Sequence, residues 1–335
     1  MTATISRSVK IFLIVSCMAF LFSSRAYSAD APLKKLSFIT LWKPQAQFAG
    51  YIVALEKGIY KKHGLDVTMI SGGPDNPALD ALKNGKADFG IAWLSAAMQR
   101  RSAGLKIVNI GQVVQRSSLM LVAKRSSGIL RPADMQGKKI SLWEGDLQLQ
   151  PRAFFRTYGI TAEVIPQSYT VSLFLLGGVD VASAMWYNEY DTIINSGVDA
   201  DELSTFFFSD HGLNFPEDGI YCLEETLAKD PQAAADFVKA SFEGWMYAFD
   251  HPDEALDMVL AYMRREHLPA NRVHQKWMLS KMKELILPQD KQLSPGVLNK
   301  DDFDRVGKEL LLNGLIDAVP LFDEFSMPLK NYDQE

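Results

Sequence analysis

Short apolar runs alternate along the chain with amphipathic stretches of two to four helical turns. Residues 36–40 read as a strand, after which Phe48, Tyr51, Ile52 and Leu55 fall at i, i+3, i+4 and i+7, one face of a helix. Gly58 and Gly64 read as left-handed residues that close helical turns. A strand follows at 65–70. Asn76-Pro77 then reads as an N-cap with proline at the first helical position, opening a helix that runs to Asn84 and stops at Gly85. Residues 88–92 form the next strand candidate, Ser95 caps a helix that ends near Gly104, and 106–113 is again strand-like. The alternation continues with strands at 119–123 and 139–142, a helix over 148–158 stopped by Gly159, and strands at 162–165, 181–185 and 204–208. After Leu223 no strand signal of similar strength follows, and helices are predicted over 231–249, 252–266 and 301–313.

Strands alternating with helices predict an α/β protein whose mainly parallel sheets are covered on both faces. The pattern predicts two lobes and a helical tail. The runs 119–124 and 219–224 stand between blocks of different character and are read as crossings. This gives lobe 1 as 29–120 plus 222–335 and lobe 2 as 121–221.

Composition narrows the class. A chain of 335 residues suits two cores rather than one, and 22% charged with 11% aromatic residues excludes a disordered chain. A net charge of −5 opposes a non-specific nucleic-acid binder. Only Cys17 and Cys222 are present, which excludes a disulfide scaffold. Residues 1–28 read as a signal peptide: Arg7 and Lys10 precede a 12-residue apolar run from Ile11 to Phe22, and Ala26-Tyr27-Ser28 offers a cleavage site after Ser28. Its removal takes Arg7, Lys10 and Arg25 and shifts the net charge to −8. The expected location is the periplasm. Ile14-Val15-Ser16-Cys17 loosely matches a lipoprotein box, so a lipid anchor on Cys17 is the lesser alternative.

Catalytic signatures are missing from the sequence: it has no G-x-G-x-x-G, phosphate loop, H-E-x-x-H or G-x-S-x-G. The five histidines include no pair at i+3 or i+4. Glu217-Asp218 and Asp301-Asp302 are adjacent acids whose side chains point apart, and are read as loop or helix-start charges. No catalytic residue, metal or cofactor is expected. The tryptophans carry the clearest signal. Trp42, Trp93, Trp143 and Trp186 each lie at or just past the C-terminal end of a predicted strand, where α/β sheets bind ligands. Indoles there form stacking walls for a planar ligand; packing under loops is the alternative. Trp245 and Trp277 are read as core.

Three further loops occupy equivalent places. Gly72 and Gly73 lie in a loop whose N–H groups either hold a polar ligand edge or make a tight turn. Gln115-Arg116 offers a clamp for an anion or a surface arginine. Tyr187, Asn188 and Glu189 follow Trp186, with Asn188 as an N-cap or a ligand contact and Glu189 as an acceptor for ligand amines. Gln47, Tyr51 and Ser95 complete the candidate ligand-binding set.

Trp42-Lys43-Pro44, Gly50-Tyr51, the run EKGIYKKHGLDV from Glu56, Gly72-Gly73, and GKADFG from Gly85 follow one another as in periplasmic substrate-binding proteins of ABC importers. The chain most resembles the subgroup that binds the pyrimidine precursor of thiamine. Val179-Asp180-Val181-Ala182 with Trp186-Tyr187-Asn188-Glu189 is similar to that subgroup's second-lobe segment. The resemblance implies a type II periplasmic-binding fold whose two α/β lobes close on a ligand between them. It implies that Trp42, Trp93, Trp186 and Tyr187 sandwich a ring and that Glu189 meets ring nitrogens or amines. The implied partners are a small flat heteroaromatic ligand and an inner-membrane ABC permease, with no nucleic acid, and the protein is expected to be a monomer. A synthase of the related fungal type, whose cysteine-rich iron motif has no counterpart here, and a sensory binding protein remain the alternatives.

Overall fold

The computed structural model describes residues 32–288 and 294–328. The leader predicted over 1–28, with Cys17, lies outside the described residues. Among the described residues, ten strands build two five-stranded sheets. The first contains β1 (Lys34–Ile39), β2 (Leu65–Ile70), β3 (Phe89–Trp93), β4 (Ile107–Gln112) and β10 (Asp218–Leu223), in the order β2-β1-β3-β10-β4. The second contains β5 (Leu119–Lys124), β6 (Lys139–Leu142), β7 (Glu163–Pro166), β8 (Val181–Met185) and β9 (Leu203–Phe207), in the order β7-β6-β8-β5-β9.

Neither sheet is mainly parallel. β1 runs parallel to β2 and β3, and β6 to β7 and β8, as helical crossovers require. β10 is antiparallel to both β3 and β4, and β5 to both β8 and β9. The alternation of strands and helices along the chain does not carry this reversal. β5 and β10 are the strands by which the chain enters one sheet after leaving the other; β10 wedges between β3 and β4, which precede it, whereas β8 and β9 are added later on either side of β5.

Two helix starts differ from the sequence reading. Pro77, in extended conformation, precedes helix Ala78–Lys83, while Asn76 Nδ2 donates to Ser71 O at 3.0 Å. Trp93, not Ser95, is the N-cap of helix Leu94–Ser102. In the tail, Asp230 caps helix Pro231–Asp250 by accepting from Ala233 N–H at 2.9 Å. Helix Arg272–Ile286 is an addition to the predicted elements. Its apolar stripe Met278, Leu279, Met282, Leu285 and Ile286 is buried, but Trp277, expected in the core, is only half-buried. Among the described residues no helix is long and apolar enough to cross a membrane.

The tail packs on the first sheet through an unusually close helix crossing. A Cβ on Gly244 would stand 2.1 Å from Gly50 O, and one on Gly50 would stand 2.2 Å from Trp245 Cγ. The two glycines let helices Ala49–Glu56 and Pro231–Asp250 approach this closely, backbone against backbone at Gly244 and backbone against the Trp245 ring at Gly50. Gly244→Ala is therefore expected to destabilise the fold by about 1–3 kcal/mol, as overpacked cores do. Urea unfolding reads this directly, and an unchanged midpoint would show that the helices separate at little cost.

Candidate functional site

Loops at the C-terminal ends of β1, β3, β6, β7 and β8 surround a cavity of about 370 Å³. From the first sheet come Leu41, Trp42, Gln45 and Gln47 after β1, and Trp93 and Ala96 at the end of β3. From the second come Trp143, Asp146 and Leu147 after β6, Tyr169 after β7, and Met185, Tyr187, Asn188 and Glu189 at the end of β8. The cavity continues past Leu41, Trp42, Ala96 and Asp146 into a second compartment of about 500 Å³ beside Gly73, Pro77 and Arg100.

Local chemistry holds the walls. Thr40 Oγ1 donates to Trp42 O at 2.6 Å and accepts from Gly72 N–H at 3.2 Å, tying two loops together. A Cβ on Gly72 would lie 1.8 Å from Thr40 O, so the residue is glycine because the backbones touch. Trp143 Nε1 donates to Ser168 O at 3.0 Å, which fixes that indole against the loop that carries Tyr169. Contacts that span the cleft include the Trp42 and Tyr169 rings, 5.6 Å apart, and Gln99 Nε2, which donates to Asp146 Oδ1 at 2.5 Å.

The polar end of the cavity is acidic. Glu189 accepts from Met185 N–H at 3.0 Å and from Asn188 Nδ2 at 2.7 Å, and burial raises its pKa. Beneath it, Asp218 Oδ2 accepts from Gln47 Nε2 at 2.8 Å. Burial pushes the Asp218 carboxyl up to about 6 against the pull of Gln47 and the Trp93 indole N–H. Glu217 accepts from Ser118 N–H at 2.6 Å and from the Ser117 and Ser118 hydroxyls, and is pushed up to about 8, by burial first and the neighbouring Asp218 second. The Tyr187 phenol is held well above its usual range by burial and then by the carboxylates of Glu217, Asp218 and Glu189. No lysine, arginine or histidine is among the residues that line the cavity.

Of the residues singled out in the sequence, Trp42, Gln47, Trp93, Trp143, Tyr187, Asn188 and Glu189 come together here, and Gly73 lines the adjoining compartment. The others do not line it. Trp186 points away: Met185 and Tyr187 face the cavity, and the residue between them, at the end of a strand, faces the opposite side. Its ring lies under Lys281 Nζ at 4.2 Å and beside Phe207. Tyr51 is packed in the core between Phe38 and Trp245. Ser95 is buried in the first turn of helix Leu94–Ser102. Gln115 is buried at the crossing, where its Nε2 donates to Gln112 O at 2.8 Å. Arg116 is exposed and paired with Asp210, the surface reading of the two. It borders a wider groove of about 820 Å³ on the far side of Trp186, where Arg305 is likewise paired, with Asp302.

Residues missed from the sequence include Tyr169, which lies past the end of β7 as the four tryptophans lie past theirs, and the acids Glu217 and Asp218. These two do point apart, but in a crossing that buries both. Asp301 and Asp302 do open a helix, Lys300–Leu312.

A family model described as NMT1/THI5 like matches residues 45–255. A formylaminopyrimidine-binding protein of Halalkalibacterium halodurans is 23% identical over 277 residues, covering 78% of this chain and 82% of that protein. The riboflavin-binding protein RibY of Chloroflexus aurantiacus is 23% identical over 269 residues, covering 72% and 70%. Among solved structures, the periplasmic aliphatic sulphonate binding protein SsuA of Escherichia coli superposes with a TM-score of 0.69 at 14% identity, over 91% of this chain and 96% of that one. That likeness is one of fold: two α/β lobes of the periplasmic-binding type with a helical tail.

Proposed function

Since the chain belongs to the NMT1/THI5-like family, we propose that it is an exported solute-binding protein that closes its two lobes on a small, flat heteroaromatic ring and delivers it to an ABC permease in the inner membrane. The observation that carries the ligand class is the pairing of aromatic walls with an acidic, cation-free end. Trp42, Trp93 and Trp143 with Tyr169 and Tyr187 give π-faces from both lobes, and Asp146 and Glu189 give acceptors. Burying a sulfonate or nitrate beside these carboxylates would leave its charge unpaired, which is costly. A ring bearing amino or N–H groups instead finds stacking faces and charge-assisted acceptors. An aminopyrimidine of the thiamine-precursor kind meets this description, and the pyrimidine-binding relative supports it.

In the proposed cycle the ring first stacks on one lobe. Closure then brings the second lobe's Tyr187, Asn188 and Glu189 onto its edge, and the closed form marks the loaded state. The protein acts as a monomer in the periplasm, and the ligand leaves unchanged.

Thermal-shift screening of pyrimidines, flavins, purines, aromatic acids and sulfonates tests the reading. A donor-bearing heteroaromatic is expected to raise the midpoint, by an amount that grows with the logarithm of its concentration over its dissociation constant. A shift from inorganic anions or sulfonates alone would overturn the ligand class, and turnover of the stabilising compound would make the protein an enzyme. Trp42→Ala removes one stacking face and is expected to weaken the best ligand about 10- to 100-fold. Unaltered affinity in calorimetry would take Trp42 out of the site.

A further inference from the structure

Behind the cavity, helix Arg272–Ile286 touches both walls at the residues that form them. On the first-lobe side, Gln275 Oε1 accepts from Ala46 N–H at 2.7 Å, one residue before the cavity-lining Gln47. On the other side, Trp277 Nε1 donates to Trp186 O at 2.9 Å. His274 stands in the first turn of this helix, its backbone N–H held by the Asn271 cap. Its two ring nitrogens lie against two oxygens of the second lobe: Nδ1 is 2.6 Å from Asp191 Oδ2, and Nε2 is 2.9 Å from Asn188 Oδ1. Asn188 in turn commits its Nδ2 to Glu189 Oε1 at 2.7 Å, and the other Glu189 oxygen accepts from Met185 N–H. Four side chains thus run without a break from buried Asp191, through His274 and Asn188, to the carboxylate at the acidic end of the cavity.

We propose that His274 is a positioning residue of the ligand site: it sets which way the Asn188 amide points and, through that amide, the orientation of the Glu189 carboxylate. An amide engaged at both its oxygen and its nitrogen cannot turn over without losing both bonds. With His274 removed, the Asn188 oxygen loses its partner, and only the bond from Nδ2 to Glu189 still holds the amide in place. Because His274 sits on the tail while Asn188 and Glu189 belong to the second lobe, the same contact ties lobe closure to the presentation of the acceptor. Of the charged groups, Asp191 and Glu189 on helix Glu189–Ile194 interact with His274.

This inference rests on the cavity being the ligand site, and its test separates the two. Calorimetry with 4-amino-5-hydroxymethyl-2-methylpyrimidine, and separately with riboflavin, is run on the wild type and three variants. His274→Leu removes both bonds and is expected to weaken binding about 10- to 100-fold, the worth of a buried charge-assisted hydrogen bond. His274→Gln places an N–H near the former Nε2 and is expected to recover most of the loss, whereas His274→Asn, which reaches only toward Asp191, is not. A purely structural histidine would lower the ligand-free unfolding midpoint and would make no distinction between Gln and Asn. Equal affinity for His274→Leu and wild type, or equal affinities for the Gln and Asn variants, would overturn the proposal. If the wild type binds neither probe, the assignment of the ligand fails but the relay does not, because hydrogen exchange tests it without ligand. The Met185 N–H, held by Glu189, is expected to exchange faster in His274→Leu, and identical exchange would overturn the relay whatever the ligand.

Discussion

Cutting Phe237 back to alanine is expected to lower the stability of the fold by about 3–5 kcal/mol, the range for a large buried aromatic. The residue is fully buried where the tail meets the first sheet. Its ring stacks on Phe89 at 4.5 Å and 10°, stacks on Tyr60 at 5.3 Å and 4°, and meets Phe38 at 5.3 Å. Phe89 belongs to β3, Phe38 to β1 and Tyr60 to the short helix Ile59–Lys62, so one side chain fastens three elements to helix Pro231–Asp250. Relaxation is limited because three of its neighbours are themselves rigid rings. Urea unfolding should show a lower midpoint with an unchanged slope. A loss below about 1 kcal/mol would mean that the rings close over the gap, contrary to the usual cavity cost.

Stability is also expected to fall as pH rises from about 4 to about 8, and Glu217→Gln is expected to remove the upper part of that fall. In the folded chain the Glu217 carboxyl is raised from 4.5 to about 8 and that of Asp218 from 3.8 to about 6, both chiefly by burial. Between its unfolded and folded values each group holds a proton only when folded. Folding therefore takes up protons, and stability declines with rising pH. For Glu217 the full decline is on the order of 5 kcal/mol, from the size of the shift. Glutamine keeps an oxygen for the Ser118 N–H and never ionises. The variant should match wild type near pH 5 and exceed it near pH 8. Denaturation at the two pH values checks this, and a wild-type profile that rises over the interval would contradict it. Glu217 bonds to Ser117 and Ser118, the residues that lead into β5, so the group that titrates sits where the two crossings meet.

Much of the architecture was legible because the apolar runs carry their own period. The bounds of β2, β6 and β8 coincide with the predicted runs, and Gly85 and Gly159 do take positive φ where helices end. Strand direction was not legible, since nothing local in Leu119–Lys124 or Asp218–Leu223 says that these strands enter a sheet backwards. At the cavity, chain position found the indoles of Trp42, Trp93 and Trp143 but not the side of the strand on which each residue falls. One step in the turn just past β8 separates Tyr187, which faces in, from Trp186, which faces out. Tyr169 escaped because β7 extends one residue beyond the predicted end, to Pro166, and the aromatic follows it. Glu217 and Asp218 escaped for a different reason: adjacent acids usually signal solvent, and only the tertiary crossing encloses both.

The place of β10 between β3 and β4 has a consequence for a nascent chain. Everything needed for the sheet built around β5 is present once Phe207 has been made. The other sheet has a central gap until Asp218–Leu223 arrives, and it lacks its covering helix until Asp250. Read in order of synthesis, the amino-terminal third must wait, unfinished, for segments made after the middle third is complete.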